Sequence, residues 1–128
     1  MKTWATSASV ALLVLIAGRA DAAQTISSPL LVWSGQLGCY VRNVGVTPVS
    51  VTVQLLGADG TAIAPTFEDC SAGPLAGGFT CAVLAAGPPS TFLAACSATA
   101  AGSAKSLRGT LEVRYGPSGN VRMAEELW

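Results

Sequence analysis

The sequence predicts an all-β protein folded as an antiparallel two-sheet β-sandwich of about seven strands. Three observations carry that expectation. In "VSVTVQLL", Val49, Val51, Val53 and Leu55 alternate with Ser50, Thr52 and Gln54, the two-residue period of a strand with one dry face. Stretches of this kind recur at short intervals, separated by Gly, Pro, Asn and Asp, the residues that build turns. Two of the four cysteines, Cys39 and Cys96, sit at apolar-phase positions of such stretches, where a bridge would staple a small core.

The elements follow in chain order, beginning with a leader. Lys2 supplies a positive start, the run "VALLVLIAG" from Val10 to Gly18 is apolar, and Ala20 and Ala22 form a small-residue cleavage pattern. Residues 1–22 are therefore expected to be a cleaved signal peptide, and 23–128 a single domain. Arg19 and Asp21 end the apolar run well short of the roughly 20 residues that a membrane span requires. The first cysteine, Cys39, lies past the cleavage point, so no lipid-bearing N-terminal cysteine arises. The expected product is soluble, secreted or periplasmic, with no membrane span.

"ISSPLLVW" is the first strand, with Pro29 tolerated at a strand start or edge. Next, Leu37, Cys39 and Val41 alternate with Gln36, Tyr40 and Arg42, and "NVGVTP" carries the residues of a hairpin turn into "VSVTVQLL". "GADG" is a second tight turn, leading to "TAIA". Residues 38–62 thus read as a β-meander with one core-facing side. "GFTCAVLA" places Phe79, Cys81 and Val83 together, and "TFLAACSAT" places Phe92, Ala94, Cys96 and Ala98 together. "SLRGTLEVRYG", the turn "GPSGN" and "VRMAEELW" form a closing hairpin, although the Ala, Glu and Leu of "MAEELW" also suit a terminal helical turn. Strands of this number and length pack most naturally as two sheets face to face.

Through "NVGVTPVSVTVQLLGADGTAI" and "SLRGTLEVRYG" the chain resembles the immunoglobulin-like and fibronectin-type domains of secreted bacterial proteins. Such domains are commonly adhesive, structural or auxiliary to a larger assembly, and the resemblance implies such a role here. One departure is that Val49 to Leu56 lacks the tryptophan expected on the strand after the first cysteine of an immunoglobulin domain. No functional residue is carried over.

Four cysteines in an exported chain of this size point to two disulfides, for which three connectivities exist. The favoured pairs are Cys70 with Cys81, which bracket the turn-rich "SAGPLAGGFT", and Cys39 with Cys96. A zinc site is disfavoured, because no Cys-x-x-Cys spacing occurs and the chain has no histidine.

The same lack of histidine removes the commonest general base and any Ser-His-Asp triad. Glu68 with Asp69, and Glu125 with Glu126, are adjacent pairs, and neighbours on a strand point to opposite faces. They read as solvated charges, with calcium ligation by Asp59, Glu68 or Asp69 the competing reading. "GADG" and "GPSG" are turns, not phosphate loops, since no helix follows either. No catalytic residue, metal or cofactor is expected. Beyond the leader, Arg42, Lys105, Arg108, Arg114 and Arg122 balance Asp59, Glu68, Asp69, Glu112, Glu125 and Glu126, so the overall charge predicts no nucleic-acid partner.

What remains are contact surfaces. Leu75, Phe79, Pro88 and Pro89 are candidates for an apolar patch, and Tyr40, Arg42, Arg108 and Arg114 for a polar face, with pairing to Glu112 the blander reading. Trp33 and Trp128 are expected to cap the core or rest at an interface; counting back by twos from Trp128 gives no lipid-facing barrel strand. The expected function is an exported, non-enzymatic binding, adhesive or structural domain whose partner is a protein or an envelope component. The alternatives are a small-ligand or carbohydrate-binding module, and an exported protease inhibitor presenting "SAGPLAGGFT".

Overall fold

The computed structural model describes residues 22–33, 35–87, 92–115 and 120–128. Residues 1–21, which hold nearly all of the expected signal peptide, the Pro88–Pro89 pair and residues 116–119 of the expected last turn lie outside them. Among the described residues there are ten strands and no helix: β1 Gln24–Ser27, β2 Leu31–Trp33, β3 Gln36–Asn43, β4 Val51–Gly57, β5 Ala62–Ile63, β6 Phe67–Glu68, β7 Thr80–Ala86, β8 Phe92–Ala100, β9 Leu107–Tyr115 and β10 Asn120–Leu127. They build two antiparallel five-stranded sheets, one ordered β1-β8-β4-β5 with β2 also on β8, the other β10-β9-β3-β7-β6. This is the two-sheet sandwich that the alternation predicts. The eight stretches named from the sequence become ten strands because "ISSPLLVW" splits in two and because β6 is an unforeseen two-residue strand.

The split occurs at Pro29. β1 and β2 both pair with β8, but their registers differ by one residue, so Ser28, Pro29 and Leu30 bulge opposite two residues of β8. Proline has no N–H for the ladder. Across the bulge the Ser28 hydroxyl takes the place of a ladder carbonyl, accepting from the Cys96 amide at 2.9 Å and donating to the Pro29 carbonyl at 2.9 Å.

Residues 38–62 do not form a meander. β3 pairs with β7 on one side and β9 on the other, whereas β4 pairs with β8 and β5 in the opposite sheet. Alternation fixes which side of a strand is dry but not which sheet it joins. Residues 44–50 form an arch from one sheet to the other, longer than a two-residue hairpin loop. "GADG" does make the expected hairpin turn between β4 and β5, with the Gly57 amide donating to the Thr61 carbonyl at 2.8 Å.

The closing hairpin β9–β10 also forms, with a bulge between Val121 and Met123. "MAEELW" is therefore strand rather than helix. Leu127 is buried opposite Gly109, and a β-carbon on Gly109 would stand 2.8 Å from the Leu127 side chain. Burying that leucine and completing the β9 ladder outweigh a helix propensity worth tenths of a kcal/mol per residue.

The core lies between the sheets. Leu37, Cys39 and Val41 of β3, Leu111 and Val113 of β9 and Val83 of β7 face Val51, Val53 and Leu55 of β4 and the inward residues of β8, Ala94, Cys96, Ala98 and Ala100. The small inward residues of β8 leave room for the leucines opposite, as close packing demands. Cys39 and Cys96 bridge the two sheets through this core, with a Cα–Cα distance of 6.0 Å. A bridge between two sheets also occurs in immunoglobulin domains. Here β1 lies beside β8, and the last strand, β10, beside β9.

One lateral seam is stitched as well. Ser27, at the end of β1, and Trp128, just past β10, exchange backbone hydrogen bonds of 2.9 and 3.1 Å. The Trp128 side chain does not cap the core, because backbone pairing holds the residue at the rim, where it is 80% exposed.

Candidate functional site

Three loops converge at the end of the sandwich where β3 finishes: residues 44–50, 69–79 and 101–106. The inward phase of β3 runs Leu37, Cys39, Val41 and then Asn43, which places an amide side chain in a fully buried position. A buried amide needs partners. Its Nδ2 donates to the Thr47 carbonyl at 2.8 Å and the Leu75 carbonyl at 2.9 Å, and its Oδ1 accepts from the Gly45 amide at 2.9 Å. Its main chain completes the clamp, with Asn43 N to Phe79 O at 3.0 Å and Gly78 N to Asn43 O at 2.7 Å. One residue thus holds the sheet-crossing arch and the loop before β7 together.

The loops also bind each other directly. Val49 and Leu75 exchange backbone hydrogen bonds of 3.0 and 2.8 Å, and Val44 donates to the Ser106 carbonyl at 2.8 Å. Gly77 lies against the backbone of Gly45 and Val46 so closely that any β-carbon would collide with both, and Gly78 has a φ of 81°, in the region that favours glycine.

The second disulfide closes the base of this assembly. Cys70 and Cys81 are bonded and buried, with Cα atoms 5.0 Å apart. Both expected disulfides are therefore present. Glu68 and Asp69 are exposed, yet they serve the same loop: the two Glu68 carboxylate oxygens accept from the Ser71 amide and hydroxyl, each at 2.6 Å, and Asp69 Oδ1 accepts from the Ala82 amide at 2.7 Å. Asp69 lies close to both cysteine sulfurs, but a disulfide has no thiolate to offer a metal.

This frame presents Val44, Val46 and Phe79 to solvent, 53%, 94% and 66% exposed. Leu75, grouped with Phe79 by the sequence, is instead buried behind Val49.

The polar face falls on the second sheet. No strand of the first sheet carries a charged residue, whereas β3, β6, β9 and β10 all do. Arg42 stands directly opposite Arg108. Arg114 pairs with Glu112 at 2.8 Å, along its own strand rather than across strands, and its guanidinium lies 5.7 Å from the centre of the Tyr40 ring. The Glu112 hydrogen bond pushes the Arg114 guanidinium further up from its ordinary range. Tyr40 lies over Gly38, where a β-carbon would stand 2.9 Å from the ring and 3.1 Å from Leu84. At the β4–β5 turn, the Thr61 amide donates to Asp59 at 2.9 Å and holds its carboxyl below the usual carboxylate range.

An open groove of about 620 Å³ lies along the stitched seam, lined by Gln24, Ile26, Lys105, Arg108, Glu126 and Trp128 among others. Glu126 is thus at the rim of a groove, and Glu125, beside it on β10, is exposed. Trp33 ends β2, and the expectation for its side chain lies outside what is described.

Sequence reasoning missed Asn43, Val44 and Val46. The available signal was the asparagine itself, two residues beyond Val41 in an otherwise apolar phase, which marks a buried polar group in need of loop partners. Comparison with protein-family models, curated proteins and solved structures finds no match for this chain.

Proposed function

We propose that the protein is an exported, non-enzymatic recognition domain that contacts a component of the cell envelope or a secreted protein through its loop end. The observation that carries this reading is the contrast between rigid backbone and exposed apolar side chains. Asn43, the Val49–Leu75 bridge and the Cys70–Cys81 disulfide fix the loops, while Val44, Val46 and Phe79 stay in water. Fixed loops lose little freedom on binding, and apolar side chains at their tips gain by being covered. Export is supported by the leader pattern and by the two disulfides, which persist in oxidising compartments. A non-enzymatic role is supported by the lack of histidine and by the loop-holding roles of Glu68 and Asp69. The immunoglobulin-like resemblance, with its adhesive or auxiliary role, points the same way.

A second reading, a small-ligand module, is favoured by the seam groove beside the exposed Trp128. Photo-crosslinking side chains placed singly at Val46, Phe79, Gln54 and Gln36 in the native host separate these outcomes. The proposal expects adducts from 46 and 79 and none from the sheet-face positions 54 and 36. Adducts from 54 or 36 alone, or none at all, overturn it.

A further inference from the structure

Three of the five cations outside the leader meet at the loop end. Arg42 and Arg108 face each other across the β3–β9 ladder, Lys105 lies just before β9, and all three are exposed. Among the described residues none of them forms an ion pair; the one salt bridge is Arg114–Glu112. Arg108 Nη1 donates to the Lys105 and Leu107 carbonyls at 3.0 and 2.7 Å, which positions the guanidinium without neutralising it. Like charges directly opposite on a sheet are destabilising, so the fold itself does not account for this pair. Leu127 pairs with Gly109, so Trp128 is next in line to Arg108. The acid near these cations is Glu126, in the groove along the β10 side.

Cations and exposed apolar side chains share one rim: Lys105 lines a recess with Val46 and a groove with Arg108 and Trp128, and Arg42 pairs with Thr80, next to Phe79. We propose that this rim docks on an anionic lipid bilayer, the cations meeting phosphate headgroups and the apolar side chains entering the interface. The inference rests on the reading that the loop end is the contact surface, and it names the partner. A soluble anion would engage the arginines but leave Val46 and Phe79 in water, whereas a bilayer interface takes up both kinds of group. Tryptophan beside cations is the composition that interfaces favour. The overall charge balance conceals this, because attraction depends on the local cluster within a Debye length, not on the sum.

Co-sedimentation of the full chain with vesicles of phosphatidylcholine, alone or with about a third phosphatidylglycerol, tests the proposal. All variants carry the same residues 1–22, so differences between them report the rim. Binding is expected to the anionic vesicles, to weaken as salt rises, and to shift tryptophan emission to the blue by an amount that Trp128→Phe reduces, the contributions of Trp4 and Trp33 being common to both proteins. Arg42→Gln with Arg108→Gln is expected to weaken binding about 25-fold, at about fivefold per cation. Val46→Asn with Phe79→Ser also weakens it, and Arg114→Gln, which removes one positive charge at the other end of the sheet where fivefold would otherwise be lost, leaves it unchanged. Equal binding to neutral vesicles, full binding by the double arginine variant, or competition by millimolar glycerol phosphate overturns the proposal. If vesicles are not bound but positions 46 and 79 crosslink to an envelope protein, the lipid assignment falls and the loop-end reading stands; if neither occurs, both fall.

Discussion

Replacing Asn43 by alanine removes three hydrogen bonds and leaves the strand pairing of β3 in place. The Leu75 carbonyl keeps its bond from the Val49 amide at 3.0 Å, so it loses one of two partners. The Thr47 carbonyl and the Gly45 amide are partly buried and regain some water. At about 1 kcal/mol net for each bond, the expected loss is about 3 kcal/mol. Urea unfolding of the oxidised protein measures it, as a shift of the midpoint with an unchanged slope. For a slope near 1.5 kcal/mol/M the shift is about 2 M. Gln36→Ala, at an exposed position of the same strand, is the control and is expected to change stability by less than about 0.5 kcal/mol. A loss below about 1 kcal/mol for Asn43→Ala would mean that water replaces the amide, and the clamp argument would fail.

Other expectations concern the staples and the sheet face. Cys39→Ala with Cys96→Ala opens a loop spanning 57 residues and is expected to cost about 4 kcal/mol, against about 3 kcal/mol for Cys70→Ala with Cys81→Ala, which spans 11. Differential scanning calorimetry ranks the two, and the reverse order would contradict the entropy argument. Gly38→Val pushes Tyr40 off the sheet and is expected to lose about 1–2 kcal/mol. Much of that should return in the double variant with Tyr40→Ala, and a double-mutant cycle showing additivity would refute the contact. Asp59 titrates below the ordinary aspartate range because its carboxylate accepts from the Thr61 amide. A lowered folded pKa means that its support of the turn is present at neutral pH and is lost as pH falls through that value. Carboxyl carbon shifts followed by NMR check this, and an ordinary midpoint would refute it.

The all-β class, the dry side of each long strand and the β9–β10 hairpin were legible because alternation with period two states directly which side chains are buried. Connectivity was not. "NVGVTP" contains every residue of a turn, yet both edges of β3 are taken by β7 and β9, strands distant in sequence, so β4 must cross to the other sheet. Pairing competition of that kind leaves no trace in a local pattern. The site was half legible. Cys70, Cys81 and Phe79 stood out by type and spacing, and Arg42 and Arg108 by phase. The Asn43 clamp needed Thr47 and Leu75 in space, and the meeting of cations with Val46 and Trp128 needed the β3–β9–β10 register. Of the two places expected for Trp128, the core cap is excluded by the backbone pairing to Ser27, which holds the residue exposed at the rim and is not visible in a local pattern.

A loop end built as a fixed platform should exchange its amide hydrogens as slowly as the sheets that carry it. The decisive amides are Leu75, bonded to the Val49 carbonyl at 2.8 Å, Gly78, bonded to the Asn43 carbonyl at 2.7 Å, and Gly45, bonded to Asn43 Oδ1 at 2.9 Å. Residue-resolved hydrogen exchange on the oxidised protein should show these three protected alongside β3 and β7. Exchange at free-peptide rates in residues 44–47 and 71–79, with the strands still protected, would show a loose fringe in place of a platform and contradict the account.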